Sequence, residues 1–384
     1  MSPEAPACNT SFGVGEEGPA CSIFHGILSS RSEPYAGEVA VAPNNGSTPY
    51  AIENSIAEAV TANNGLPRLP RKVVESCAGP DAVDFTELDL VCTLNVEDIS
   101  NRWLNRYIPF REQPVKNYPA SVTFFVSRML KAYAAVVVHG RGMPPFVHPV
   151  QLASQSSRTV ISTCASLARV CEMPFPGSEH AASGILQREM DSLYEHRGSH
   201  NEMDLLATFQ SYLIYSMILF FWFDQGINDF LRQSMINLQQ LACVTSRHGL
   251  VCRAESQGSR PKWEAWIAAE AKRRTLFTMY LFDSILCAHD GLPSFLATEL
   301  EGLPAPATKD LWQAHNRHGW HAAYNAHLAE WPDGALRINE LWPTPSDLNG
   351  DGVILRRKRT DLWLEKLDEF GIMLYAVTSC THGG

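Results

Sequence analysis

From about Leu88 onward, apolar residues recur at intervals of three and four, the spacing of helical faces. The segment ASVTFFVSRMLKAYAAVVV, 120–138, predicts a strongly apolar helix that ends at HGRGMPP. Further helices are predicted over about 153–172, stopping before Pro174, and over 181–196, with Ile185, Leu186, Met190 and Leu193 facing inward. Asn95 is placed to cap a helix carrying Val96, Ile99, Trp103 and Leu104, with Asp98 as its capping partner. Helices over 202–223, about 226–247, 263–290, 308–330 and about 352–379 complete the pattern. No segment alternates as a strand, and no fixed-period repeat is present. The expected fold is all-α, one large multi-helix domain over 88–384.

Ahead of it, 1–87 reads differently. Residues 1–46 are rich in Gly, Pro, Ser, Ala and Asn without periodicity, which predicts poor order. A short helix over 48–64 and a proline-spaced basic linker, LPRLPRK at 66–72, follow.

Two segments change the picture further. Leu205–Phe223, LLATFQSYLIYSMILFFWF, is long enough to cross a bilayer. Gln210, Ser211 and Ser216 interrupt it and no basic cluster flanks it, so it reads as a fully buried core helix. The second, Trp263–Pro293, mixes an apolar stripe with internal charges. Trp266, Ala269, Arg273, Leu276 and Tyr280 follow helical spacing, as do Ile267, Glu270, Arg274, Phe277 and Leu281. Glu270 precedes Arg274 by four residues, the favourable order for a helical ion pair. Asp283 lies among apolar residues, and Gly291 and Pro293 stop the helix.

The order W-x2-W-x3-E-x2-R-R-x8-D, carried by Trp263, Trp266, Glu270, Arg273, Arg274 and Asp283 and followed by Pro293, resembles the regulatory domain (middle homology region) of fungal zinc-cluster transcription factors. ISNRWLNRYIPF (99–110), PPFVHP (144–149), FQSYLIYSMILFF (209–221) and LPAPATKDLW (303–312) extend the resemblance over roughly three-quarters of the chain. It implies an all-helical domain that regulates transcription in the nucleus, possessing no catalytic residues and no cofactor. It also implies control of metabolic or secondary-metabolite genes, a small-molecule effector and dimer formation. Glu270, Arg273, Arg274 and Asp283 are expected to fix the central helix.

Family members carry six cysteines in two C-x2-C-x6-C blocks that bind two Zn²⁺ ions. Here only Cys8 and Cys21 lie in the first 76 residues, and no C-x2-C pair exists among the ten cysteines. With a net charge of −10, direct nucleic-acid contact by the whole chain is doubtful. The chain is expected to be a truncated or DNA-binding-domain-less family member, with the transcription machinery or a DNA-binding protein as partner; any DNA contact is expected through that partner or a local basic segment. The scattered cysteines and the absence of an apolar leader after Met1 suggest a reducing, intracellular setting.

Other candidates are weaker. His315, His318 and His321 share a helix face, with His327 beyond, but read as a polar face rather than a metal site. DLNGDG, 347–352, opens like a calcium loop, yet Lys358 stands where a bidentate Glu belongs, so a turn is expected. Arg356, Arg357, Lys358 and Arg359 form a basic run at a helix start, readable as a nuclear-import signal or a solvated face. Arg68, Arg71 and Lys72 form a lesser cluster, and His25, His139, His148 and Asp290 show no partner in sequence. With no G-x-S-x-G, Walker A or H-E-x-x-H motif, enzyme function is not expected. The alternatives are a helical protein that binds or converts a small molecule, and a dimerisation partner that inhibits full-length activators.

Overall fold

The computed structural model describes residues 83–106, 115–116, 118–153, 155–172, 177–223 and 228–381. The expectations for 1–82, including the 48–64 helix, the basic linker, His25 and Cys8, Cys21 and Cys77, lie outside the described residues. So do Pro109, Pro114 and Pro174. Among the described residues are twelve α-helices and four two-residue strands, so the fold is all-α. They belong to one unit, Asp81–Gly384.

Helix α1 (Val96–Ser100) starts at Asn95, whose Oδ1 accepts from the Glu97 N–H. It is shorter than the sequence suggests, because Trp103 and Leu104 lie in a 3-10 turn, Arg102–Arg106. Helix α2 (Ala120–Val138) matches its predicted bounds. Helices α3 (Gln155–Val170) and α4 (Glu179–Glu195) follow. On α4, Leu186, Met190 and Leu193 are buried as expected, whereas Ile185 is only half-buried. Helix α5 (Glu202–Trp222) begins at Asn201, which caps the Asp204 N–H, and α6 (Asp229–Arg247) at Asn228, which caps Leu231. Asparagine oxygens satisfy the free N–H groups of a first turn, which is why so many starts here carry one.

Helix α5 is the hub. It packs on α2, α3, α4 and α6 and on α8 (Trp263–His289). Helices α2 and α5 are each long and apolar enough to cross a membrane, but 83% of the apolar window of α5 is buried within the protein. An apolar circumference suits a helix surrounded by protein. Residues from Met203 to Leu219 are buried except Asp204; most of the apolar ones join the main hydrophobic core, while Met203 and Leu206 join a second, smaller one.

Helix α8 lies deeper than the sequence suggests. Every residue from Trp263 to Cys287 is buried, not merely one stripe. Asp290 and Gly291 end it. Gly291 adopts φ +65°, and the Leu292 N–H donates to the Cys287 carbonyl at 2.8 Å. Pro293 follows, exposed. Short antiparallel strand pairs bracket this helix: β1 (Leu90–Val91) on β3 (Val251–Cys252) before it, and β2 (Val115–Lys116) on β4 (Ser294–Phe295) after it. The one-turn helix α7 (Arg253–Ser256) links β3 towards α8.

Two predicted helices are each broken in two. The 308–330 segment divides into α9 (Lys309–Trp312) and α10 (Arg317–Glu330), because Asn316 caps the Gly319 N–H and starts a new helix. The 352–379 segment divides into α11 (Gly350–Leu364) and α12 (Glu369–Thr381). Its break carries Asp368, whose Oδ1 accepts from the Gly371 N–H at 2.9 Å. A second, smaller core gathers Trp263, Trp266, Leu311, Trp312, Trp320 and Tyr324 between α8 and α10.

Candidate functional site

The charges on α8 are buried and tied in separate clusters, the largest of them around Glu270. Glu270 uses both oxygens: Oε1 accepts from Arg274 Nε at 2.7 Å and from the Ala307 N–H at 2.9 Å. Its Oε2 accepts from Arg273 Nε at 3.2 Å and Nη2 at 2.8 Å. Burial alone raises its pKa, but Arg273 and Arg274 outweigh that and hold the carboxyl below its ordinary value. Thus both arginines of the motif, not Arg274 alone, close on Glu270.

Each arginine also reaches another part of the fold. Arg273 Nη1 donates to the Leu250 carbonyl at 2.7 Å and lies 3.8 Å from Glu255 Oε2. Arg274 Nη1 meets Asp368 Oδ2 at 2.5 Å, and its Nη2 donates to the Ala307 carbonyl at 3.1 Å. The Arg274 guanidinium is sandwiched between Trp312, 4.5 Å away, and Phe370, 5.1 Å away. The planar fork makes one residue fasten α8 to the 304–308 segment, to α9 and to the start of α12.

Neighbouring charges are tied similarly. Lys272 Nζ, buried, reaches Glu202 Oε1 at 2.5 Å and the Gly249 carbonyl at 3.1 Å. Glu264 pairs with Arg317 at the start of α10. Asp283 lies 3.5 Å from Arg102 Nε, and Arg102 also binds Glu299 at 2.7 Å and the Phe295 carbonyl at 2.8 Å. The motif residues therefore share one helix but not one site: Asp283 belongs to a second ion cluster, and exposed Pro293 to neither.

Aromatic rings extend the first cluster. Trp266 lies 6.5 Å from Trp312 and 5.6 Å from Trp320, and Trp320 4.8 Å from Tyr324. The Nε1–H groups of Trp263 and Trp320 are buried without a hydrogen-bond partner among the described residues. His148 joins from the other side, with Nε2 2.8 Å from the Trp312 carbonyl. Its Nδ1 accepts from the Val150 N–H at 3.2 Å, so these partners select the neutral Nε2–H form. Burial lowers its pKa to about 4.

The enclosed space here is small. A cavity of about 20 Å³, lined by Glu255, Arg273, Trp266, His327, Trp331 and Trp363, holds roughly one water. Among the described residues Glu255 Oε2 has no hydrogen-bond partner, and burial raises its carboxyl above the ordinary value despite Arg273. Larger hollows are open to solvent: about 410 Å³ beside Glu87, Cys252 and Arg260, and about 470 Å³ over Arg158, Ser162 and Ser166. Burial pushes the Cys164 thiol up to about 12 and Cys171 to about 11, so neither is a thiolate at neutral pH. Cys243, Cys252 and Cys287 are also buried and free.

The remaining sequence candidates fall as follows. Among the described residues no three His, Cys, Asp or Glu side chains gather as metal ligands; His315 and His318 are exposed, and His321 is half-buried. In 347–352, Asn349 Oδ1 accepts from the Gly352 N–H and caps α11. The basic run lies inside α11 rather than at its start. Arg356 donates to the carbonyls of Glu340, Asn339 and Trp342, at 2.8, 2.6 and 2.5 Å, and Arg359 Nε binds Glu340 at 2.7 Å. Only Arg357 and Lys358 remain exposed. His139 pairs with Glu172 at 3.0 Å, and Asp290 with Arg232 at 3.5 Å.

Sequence reading identified the Glu270–Arg274 pair. It missed Glu255, Asp368, Glu202 and Arg102, which enter from distant segments. No family model matches this chain, and neither a curated protein nor a solved structure matches it.

Proposed function

We propose that this chain is a nuclear regulator of transcription of the fungal zinc-cluster type, acting through its helical domain. The observation that carries the reading is the ordered motif from Trp263 to Asp283, whose Glu270, Arg273 and Arg274 form the central clasp of the fold. The clasp joins α8 to the 250–255 turn, the 304–308 segment and α12, so displacement of any one disturbs the others. That linkage suits a domain that changes state as a unit.

An effector at this centre has to open the cavity, because about 20 Å³ does not admit a metabolite. Binding would therefore favour a displaced arrangement of α12 or the 304–308 segment. DNA contact in this reading comes through a partner protein, since the chain carries a net charge of −10.

A reporter assay tests the proposal. The full chain is fused to a heterologous DNA-binding domain in a filamentous fungal host. Reporter output should change at least several-fold in either direction. Output equal to the DNA-binding domain alone, with the fusion folded and nuclear, refutes it. Turnover or tight binding of a metabolite by such a silent protein would instead favour the small-molecule reading.

A further inference from the structure

A short link joins the 3-10 turn Ile338–Leu341 to α11. Its residues 343–349, PTPSDLN, lie outside helix and strand, and all of 343–351 are exposed. Thr344 stands there between two prolines. Pro345 disfavours the helical region for the residue before it, so Thr344 is held extended. Among the described residues neither its backbone nor its hydroxyl makes a hydrogen bond. Other hydroxyls near the surface are tied into helices. Ser166 Oγ donates to the Ser162 carbonyl at 2.8 Å, and Thr360 Oγ1 to the Arg356 carbonyl at 3.0 Å.

A cation without a counter-ion lies beside this link. Arg356, half-buried on α11, donates from Nε to the Glu340 carbonyl and from Nη2 to those of Asn339 and Trp342. Its Nη1 makes no hydrogen bond among the described residues, which leaves two N–H donors for an anion. No carboxylate among them lies within 4.0 Å of it. Burial lowers its pKa, and Glu340, which opposes that shift, is committed to Arg359 at 2.7 Å. Trp342, whose carbonyl Arg356 holds, stands two residues before Thr344, at most about 7 Å along the chain. The acid nearest in sequence, Asp347, is exposed and its repulsion is screened by water.

From this we infer that Thr344 is a phosphorylation site for a proline-directed protein kinase, and that its phosphate docks on Arg356. A kinase needs its substrate hydroxyl free and on extended chain, and Thr344 offers both. Proline carries no N–H, so Pro345 suits a +1 pocket with no acceptor, where any other residue would leave a donor unpaired. The kinase transfers the γ-phosphoryl group of ATP to Thr344 Oγ1. One O–P bond forms, the bond from the γ-phosphorus to the β–γ bridging oxygen breaks, ADP leaves, and the kinase's base takes the hydroxyl proton. Phosphothreonine brings a charge of about −1.5 to −2 and three acceptor oxygens. The guanidinium of Arg356 then gains the anion it lacks, and the link is pinned to α11. This inference does not rest on the proposed transcriptional role.

Phosphorylation of the full chain in vitro tests it. The chain carries S2A and T48A, which remove the other two Ser/Thr-Pro pairs of the sequence. It is incubated with Mg-ATP and a cyclin-dependent kinase, and separately with a mitogen-activated kinase. Mass spectrometry of its peptides should place the phosphate on Thr344, not on Ser346, with at least one of them. T344A should abolish the modification, T344S should keep it, and P345A should slow it roughly tenfold or more. In ³¹P NMR the phosphothreonine of the folded chain should titrate about half a unit or more below the value near 6 of a phosphorylated 338–350 peptide, which lacks Arg356. R356Q, with unchanged circular dichroism, should return it to the peptide's value. No phosphate on Thr344 from either kinase overturns the inference, as does a rate indifferent to P345A or a phosphate that titrates as in the peptide.

Discussion

Replacing Arg274 with Ala removes the one side chain that joins three segments at the centre of the fold. The loss comprises the 2.7 Å bond to Glu270, the 2.5 Å bond to Asp368 and the 3.1 Å bond to the Ala307 carbonyl. It also removes the guanidinium from between Trp312 and Phe370. The two carboxylates fare differently. Glu270 keeps both bonds from Arg273 and the Ala307 N–H, whereas Asp368 keeps the Gly371 N–H but loses its counter-ion. Breaking a buried pair from one side costs about 3–5 kcal/mol, because the remaining charge stays desolvated. At about 2.1 cal/mol/K per residue over the unit Asp81–Gly384, that corresponds to a fall in Tm of roughly 5–8 °C. Differential scanning calorimetry of wild type, R274A, R274M and D368N measures it. Met fills much of the space, so the gap between R274A and R274M isolates packing. The R274M/D368N double variant removes both charges and should be less destabilised than the two singles together, by about 1 kcal/mol or more. A loss below about 1 kcal/mol for R274A, or strict additivity in the double, refutes the clasp.

Glu270→Gln and Glu255→Gln should act in opposite directions at pH 8, read by urea unfolding. The first leaves two buried arginines short of a counter-ion and costs about 3 kcal/mol, whereas the second removes a charge that burial disfavours and leaves stability unchanged or higher. The raised carboxyl of Glu255 supplies stability below its unfolded pKa of 4.5 that is lost as pH rises through its folded value, so E255Q should remove that decline. His148 has the depressed case: its contribution is full above pH 6.5 and falls away as pH drops to about 4, a change of about 3 kcal/mol. An NMR titration that places His148 near 6.5 would contradict this. Gly249→Ala should lower stability by about 2–5 kcal/mol, since Gly249 sits at φ +97° and a Cβ would meet the Leu90 and Val91 backbone at 2.7 Å. Gly258→Ala, at φ +69° with open space, should cost only about 1–2 kcal/mol in the same thermal scan.

Helix existence was legible wherever one apolar pattern ran without interruption. Helix α2 agrees with its predicted bounds, and α5 is buried protein core as its apolar circumference implied. The break at 365–368 was not legible from periodicity, because Leu364, Leu367 and Phe370 keep helical spacing across it, while the break at 313–316 left only a gap between Ala314 and Trp320. The available signals were caps: Asn316 three residues before Gly319, and Asp368 three residues before Gly371. At the site, Glu270 with Arg274 was readable because both lie on one helix. Their further partners were not, since Asp368 is 94 residues away and its role depends on the break that places it there. The basic run shows the same limit: sequence gives four adjacent cations, while the fold commits Arg356 and Arg359 to carbonyls and Glu340.

The central claim is regulation of transcription from the nucleus, and chromatin occupancy tests it most directly. The full chain, tagged at its own locus, is cross-linked in native cells and the associated DNA is sequenced. The account predicts discrete enrichment at a limited set of promoters, whose genes change expression when the protein is deleted. Enrichment no greater than in an untagged strain, with the protein abundant and folded, would contradict it.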